Sequence, residues 1–128
     1  MQDKRSEPGP CVAIVDDDPA ALESFGALLD SAGYTTRLFN SCEAFLSASR
    51  DLHCACLLLD ARFMGMSGTD LLAQLERAGS HIRTVFVMGR FDAATRARAM
   101  RYPAVVGVLD KPVNTADLLK AVRQAAVA

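Results

Sequence analysis

Five short, nearly unbroken apolar runs recur along the chain, each followed by a segment with helical spacing. This alternation constrains the fold more than any other feature. The runs are CVAIV (11–15), YTTRLF (34–39), CACLLL (54–59), TVFVM (84–88) and VVGVL (105–109), of which the second is the weakest. A strand with one wet face alternates polar and apolar residues, whereas a continuous apolar run belongs to a strand covered on both faces. Between the runs, apolar residues fall at helical intervals: Leu22, Phe25, Leu28 and Leu29, then Phe45 and Leu46, then Leu71, Leu72 and Leu75. Ala93, Ala97 and Met100 continue the series, and Leu118, Leu119 and Val122 close it. Buried strands alternating with helices predict an α/β doubly wound fold, a five-stranded parallel sheet with helices on both faces. Strand order 2-1-3-4-5 would make it a flavodoxin-like (βα)5 sheet.

Helix boundaries are marked as well. Asp18 precedes Pro19, the N-cap and first-turn proline of a helix that Gly33 ends. Ser41 and Asn114 are candidate caps, a helix starts from about Asp92, and Ser67 with Asp70 three residues on is close to a capping box.

The 128 residues suit one domain, and residues 1–10, MQDKRSEPGP, read as a flexible arm ahead of a folded unit over 11–128. The arm lacks the apolar core of a signal peptide, and no stretch is long enough to span a membrane, so a cytoplasmic location is expected. A net charge of −1 gives no general drive toward nucleic acid or membrane. With Arg90, the residues Arg96, Arg98 and Arg101 make the fourth helical region basic. No aromatic is interleaved between Arg96 and Arg101 to stack on bases, which predicts a solvated or protein-binding face. The spacing of Cys54 and Cys56 does not suit a zinc knuckle. On a strand those two would share a face, and all four cysteines, with Cys11 and Cys42, are expected to be small buried hydrophobes in a reducing compartment.

The chemistry should lie beyond the carboxyl ends of the strands, near the switch point of the sheet. There the first strand delivers Asp16 and Asp17, the third delivers Asp60 and the fifth delivers Lys111. Adjacent carboxylates repel and need a positive partner. Without cysteine or histidine ligands they suit a hard cation such as Mg²⁺, with Lys111 as a second source of positive charge. Asp18 is assigned to the helix cap instead.

The segments IVDD, LLLDARFMGMSG and LDKP resemble the receiver domain of bacterial two-component response regulators, the CheY-like superfamily, over residues 11 to about 126. The resemblance implies a receiver fold and a phosphoacceptor at Asp60, which takes a phosphoryl group from a phosphohistidine. It implies Mg²⁺ held by Asp17 directly, by Asp16 through water, by Asp60 and by the backbone carbonyl of Arg62. Lys111 would stabilise charge on the transferring oxygens, and the Lys111–Pro112 bond would be cis. The partner implied is a sensor histidine kinase or a histidine phosphotransfer protein, with a homodimer as a further option. Direct nucleic-acid binding and membrane contact are not expected. Nor is enzymatic activity beyond Mg²⁺-dependent self-phosphorylation and dephosphorylation. The chain leaves no length for an effector domain, so the domain stands alone or its effector lies outside these residues.

Two switch positions depart from the family pattern. Members usually end the fourth strand with Ser or Thr, and here Met88 stands there. They carry Tyr or Phe three residues before the lysine, and here that residue is Val108. One residue is inserted around Tyr102 and Pro103, and Met64 replaces a loop proline. These departures keep open a pseudo-receiver, a protein-interaction module that does not use phosphate. A metal-dependent phosphatase with an aspartate nucleophile is the third reading, but it would need a second acid where Arg62 stands. No GxGxxG follows the first strand, which argues against a nucleotide binder.

Overall fold

In the computed structural model, which describes residues 9–61, 65–89 and 92–127, the chain follows the expected alternation. The elements are β1 (Cys11–Val15), α1 (Pro19–Ser31), β2 (Thr35–Phe39), α2 (Cys42–Ala48), β3 (Cys56–Asp60), α3 (Gly68–Arg77), β4 (Arg83–Met88), α4 (Ala93–Met100), β5 (Val105–Asp110) and α5 (Thr115–Ala126). The strands form one parallel sheet in the order β2-β1-β3-β4-β5.

Register divides the side chains between two faces. Ala13, Val15, Leu57, Leu59, Phe86 and Met88 pack with Phe45 of α2, Leu71, Leu72 and Leu75 of α3, and Ala99 of α4. The alternate residues Val12, Ile14, Cys56, Leu58, Val85 and Val87 pack with Leu22 and Leu29 of α1 and with Leu118 and Val122 of α5. All five residues of β3 are buried, as a central parallel strand requires. β2 lies at an edge and exposes Thr35, Arg37 and Leu38, which accounts for its mixed sequence.

The caps hold. Ser41, Asp92 and Asn114 each accept backbone N–H bonds, and Ser67 with Asp70 completes a full capping box. The Asp18 side chain accepts from the Ala20 N–H at 3.0 Å. Asp18→Ala should therefore lower unfolding free energy by about 1 kcal/mol in denaturant titration. A loss of divalent-cation binding instead would show that Asp18 belongs to the acidic site.

Three expectations need correction. The stripe Ala93, Ala97 and Met100 does not face inward, and Met100 is 58% exposed. The residue of α4 that enters the core is Ala99, with Thr95 and Arg96 half-buried, and Arg96 reaches across to pair with Asp110. β3 begins at Cys56, so Cys54 precedes the strand and packs toward the α2–α3 face while Cys56 faces α1 and α5. The cysteines also divide: Cys42 and Cys56 are buried and free, whereas half-buried Cys11 and Cys54 form a disulfide across β1 and the approach to β3. The expectation of four buried thiols holds for two of them.

Residues 1–8 of the expected arm lie outside the described residues. Gly9 and Pro10 already pack: Pro10 accepts from the Thr35 N–H at 3.0 Å, and a Cβ on Gly9 would meet the Gly33 carbonyl oxygen at 1.9 Å.

Candidate functional site

Parallel strands point their carboxyl ends the same way, so residues that follow β1, β3 and β5 meet at one edge of the sheet. Asp16 leaves β1 with its N–H bonded to the Phe39 carbonyl at 3.1 Å, and Asp60 closes β3. Both are buried, at 2% and 4% exposure, while Asp17 is exposed. One oxygen from each of Asp16, Asp17 and Asp60 can be chosen so that all three lie within 4.8 Å of one another. Among the described residues no other group of three or more acidic, histidine or cysteine side chains is so close.

Lys111 comes from the far side of the sheet. Its N–H bonds the Met88 carbonyl at 2.8 Å, and its Nζ donates to Asp60 Oδ2 at 3.0 Å. The Lys111–Pro112 peptide is cis, as the resemblance implies. The ammonium is half in solvent while its carboxylate partner is buried.

Among the described residues, Lys111 stands beside three converging carboxylates. Burial pushes the Asp16 carboxyl up to about 6, opposed by the Asp18 N–H that Oδ1 accepts at 2.9 Å. The Asp60 charge and a hydrogen bond shared with Asp60 push it further up, and Lys111 pulls it down. Among the described residues the pocket thus gathers three carboxylates, an all-oxygen donor set. That combination fits a hard divalent cation with room for water or phosphoryl oxygens.

The packing around the site adds features that spacing does not reveal. A Cβ on Gly68, the first residue of α3, would sit 2.6 Å from the Asp60 carbonyl oxygen, so only glycine lets α3 approach the acid-bearing strand end so closely. The Gly68 N–H bonds the Ala61 carbonyl at 3.3 Å. A glycine opening a helix behind a serine cap is the available signal, but it does not specify what the helix touches.

At the switch positions, Met88 is 1% exposed and half-buried Val108 packs against the same core face. The thioether offers no donor to an anion in the pocket. Arg62, Met64 and Arg90 lie outside the described residues. The basic character expected around α4 is partly spent: Arg96 pairs with Asp110, and Arg98 donates to Thr95 Oγ1 at 3.1 Å.

Residues 12–123 match the family model described as the response regulator receiver domain. The chain is 38% identical over 114 residues to the response regulator protein TmoT of Ectopseudomonas mendocina, covering 89% of this chain and 51% of TmoT. It is 36% identical over 112 residues to the transcriptional regulatory protein FixJ of Azorhizobium caulinodans, covering 88% of this chain and 53% of FixJ. Among solved structures, the crystal structure of FixJ-N aligns with a TM-score of 0.86 at 28% identity, covering 98% of this chain and 95% of that one. The chain spans about half the length of the curated relatives it matches.

Proposed function

The chain belongs to the response regulator receiver domain family of two-component signalling, and on that premise we propose that it takes a phosphoryl group onto Asp60. The donor is a phosphohistidine of a sensor histidine kinase or a histidine phosphotransfer protein, and residues 11–128 form the receiving unit. The observation that carries this reading is the 3.0 Å contact between Lys111 Nζ and Asp60 Oδ2 beside the Asp16–Asp17 pair.

The chemistry follows from the positions of the groups. A carboxylate oxygen of Asp60 attacks phosphorus, the phosphorus–nitrogen bond breaks, and the imidazole leaves with its electron pair. Lys111 meets negative charge on the transferring phosphoryl oxygens. Asp16, Asp17 and Asp60, with the backbone carbonyl of Arg62 proposed as a further donor, would hold Mg²⁺. When bound, the ion supplies further charge neutralisation at those oxygens. The protein is a signalling domain, and we assign it no activity beyond phosphoryl uptake and loss. Among the described residues no helix is long and apolar enough to cross a membrane, and a cytoplasmic setting alongside the kinase is part of the proposal.

Intact-mass analysis after incubation with acetyl phosphate tests the function. A gain of one phosphate is expected with Mg²⁺ and none with excess chelator. An unchanged mass at saturating donor and Mg²⁺ would refute the proposal.

Asp16 gives the metal site a pH signature. Its folded-state value of about 6 lies above the ordinary aspartate value of 3.8, so the metal-free fold binds the extra proton between the two. The stability this supplies is fully present below about 3.8 and is lost as pH rises through about 6. Cation binding runs the other way, because the carboxylate must be deprotonated. Mg²⁺ affinity should weaken by roughly tenfold per pH unit below about 6 and level off above it, a dependence that Asp16→Asn should flatten. Calorimetric titration across that range checks it, and a Kd independent of pH in the wild type would refute it.

A further inference from the structure

We propose that Cys11 and Cys54 are a reversible redox site, a dithiol–disulfide pair in exchange with low-molecular-weight disulfides such as glutathione disulfide, which sets the stability of the domain without altering its carboxylate site. The placement of the four cysteines carries the inference. The Cα atoms of Cys11 and Cys54 lie 4.5 Å apart, inside the span that a disulfide requires of about 4.4–6.8 Å. The backbone holds them there independently of the bond, because the Ala55 N–H donates to the Cys11 carbonyl at 2.7 Å. The pair is therefore close enough to close or open without moving the sheet.

Access separates this pair from the other two cysteines. Cys11 and Cys54 are both partly exposed, and Cys54 lines an open cleft with Ser49, Leu52, His53 and Ser80. Cys42 and Cys56 have no exposed surface, and burial pushes their thiols up to about 12 and about 11. Thiolate character and access govern exchange, so only the first pair is chemically available.

The reaction balances with glutathione disulfide as oxidant. The Cys54 thiolate, reached from the cleft, attacks one sulfur of the reagent, and a glutathione thiolate leaves. The Cys11 thiolate then attacks the Cys54 sulfur of the mixed disulfide and releases the second glutathione. Two electrons pass from the cysteines to the reagent, and the two cysteine protons end on the two glutathione thiols. Reduction is the reverse.

The position of the bond determines its effect. It joins residues 43 apart in sequence, a span that includes α1, β2 and α2, so closing it restricts the unfolded chain. It lies at the amino end of β1, five residues from Asp16 and about 16 Å away along an extended strand. The strand ends that carry the acids are fixed by the sheet itself, so the pocket should not register the bond.

The test uses the full chain equilibrated over a series of glutathione redox ratios, then alkylated and read by intact mass and peptide mapping. Two thiols should convert together in one transition, with a Cys11–Cys54 link in the oxidised form and Cys42 and Cys56 unreactive until the protein is denatured. The melting temperature of the oxidised form should exceed that of the reduced form by about 5–15 °C. That difference should vanish in Cys11→Ser/Cys54→Ser, while Mg²⁺ affinity stays within about twofold between the two states. The proposal is overturned if no intramolecular link forms at any ratio, if reduced glutathione does not release it from the folded protein, if the melting temperatures coincide, or if Mg²⁺ affinity follows the redox state.

Discussion

Replacing Lys111 with alanine is expected to slow phosphoryl transfer onto Asp60 by roughly 10²–10³-fold, the usual loss when one preorganised donor to a developing charge is removed. The lysine is placed for this role before any donor arrives, with Nζ 3.0 Å from Asp60 Oδ2 and the main chain tied to Met88. Its half-exposed stem can follow the phosphoryl oxygens without disturbing the core. The variant should still fold, because the Lys111 side chain is part-exposed and belongs to neither core cluster. Without metal, Asp16 then loses the lowering influence of the Lys111 charge, and its carboxyl should move further up from its already raised value. Phosphorylation rates with acetyl phosphate at fixed Mg²⁺, read by intact mass, decide the matter. A rate within about threefold of wild type would show that the ammonium is only a surface ion pair.

Met88→Thr should enlarge the conformational response to a phosphate mimic. A ligand shifts a conformational equilibrium only through its differential affinity for the two states. In the family, a hydroxyl at this position reaches the phosphoryl group and an aromatic on the fifth strand fills the vacated space. Here the side chain at the end of β4 is a buried thioether packed on the same core face as Val108. A hydrogen bond to a charged group contributes about 1.5–3 kcal/mol, so its absence reduces a population shift by roughly tenfold or more. Beryllofluoride with Mg²⁺ should therefore cause only small amide chemical-shift changes along 105–108 in the wild type. Met88→Thr should increase them, and Met88→Thr with Val108→Tyr should increase them further. The single variant also buries a hydroxyl and leaves space in the core, so without ligand it should unfold at lower denaturant concentration. Large wild-type shifts through 105–108 would mean that coupling runs by a path independent of Met88.

Much of the fold was legible because parallel strands covered on both faces read as unbroken apolar runs. CLLLD is such a run, and all five of its residues are buried. The caps were equally clear, since Asp18, Ser41, Ser67 and Asn114 satisfy N–H groups within a few residues of themselves. The inward face of α4 was not legible. Ala93, Ala97 and Ala99 are alike in hydrophobicity, so their spacing does not distinguish the buried residue from the exposed ones. What selects Ala99 is close packing on the core and the reach of Arg96 to Asp110, both tertiary facts. The site was legible in its charged members because strand order alone brings the ends of β1, β3 and β5 to one edge. The 2.6 Å limit that Gly68 meets at Asp60, and the meeting of Cys11 with Cys54, depend on the packing of α3 and on the approach to β3. No local pattern reports either of them.

Three carboxylates converge in the pocket, and Asp60 is the proposed nucleophile among them. The most direct measurement is to phosphorylate the protein with acetyl phosphate and Mg²⁺, reduce the acyl phosphate with borohydride, and map the residue converted to homoserine. Conversion at position 60 alone is predicted, with no adduct in Asp60→Asn and a retained though slower reaction in Asp17→Asn. Homoserine at position 16 or 17, or an adduct that persists in Asp60→Asn, would contradict the account.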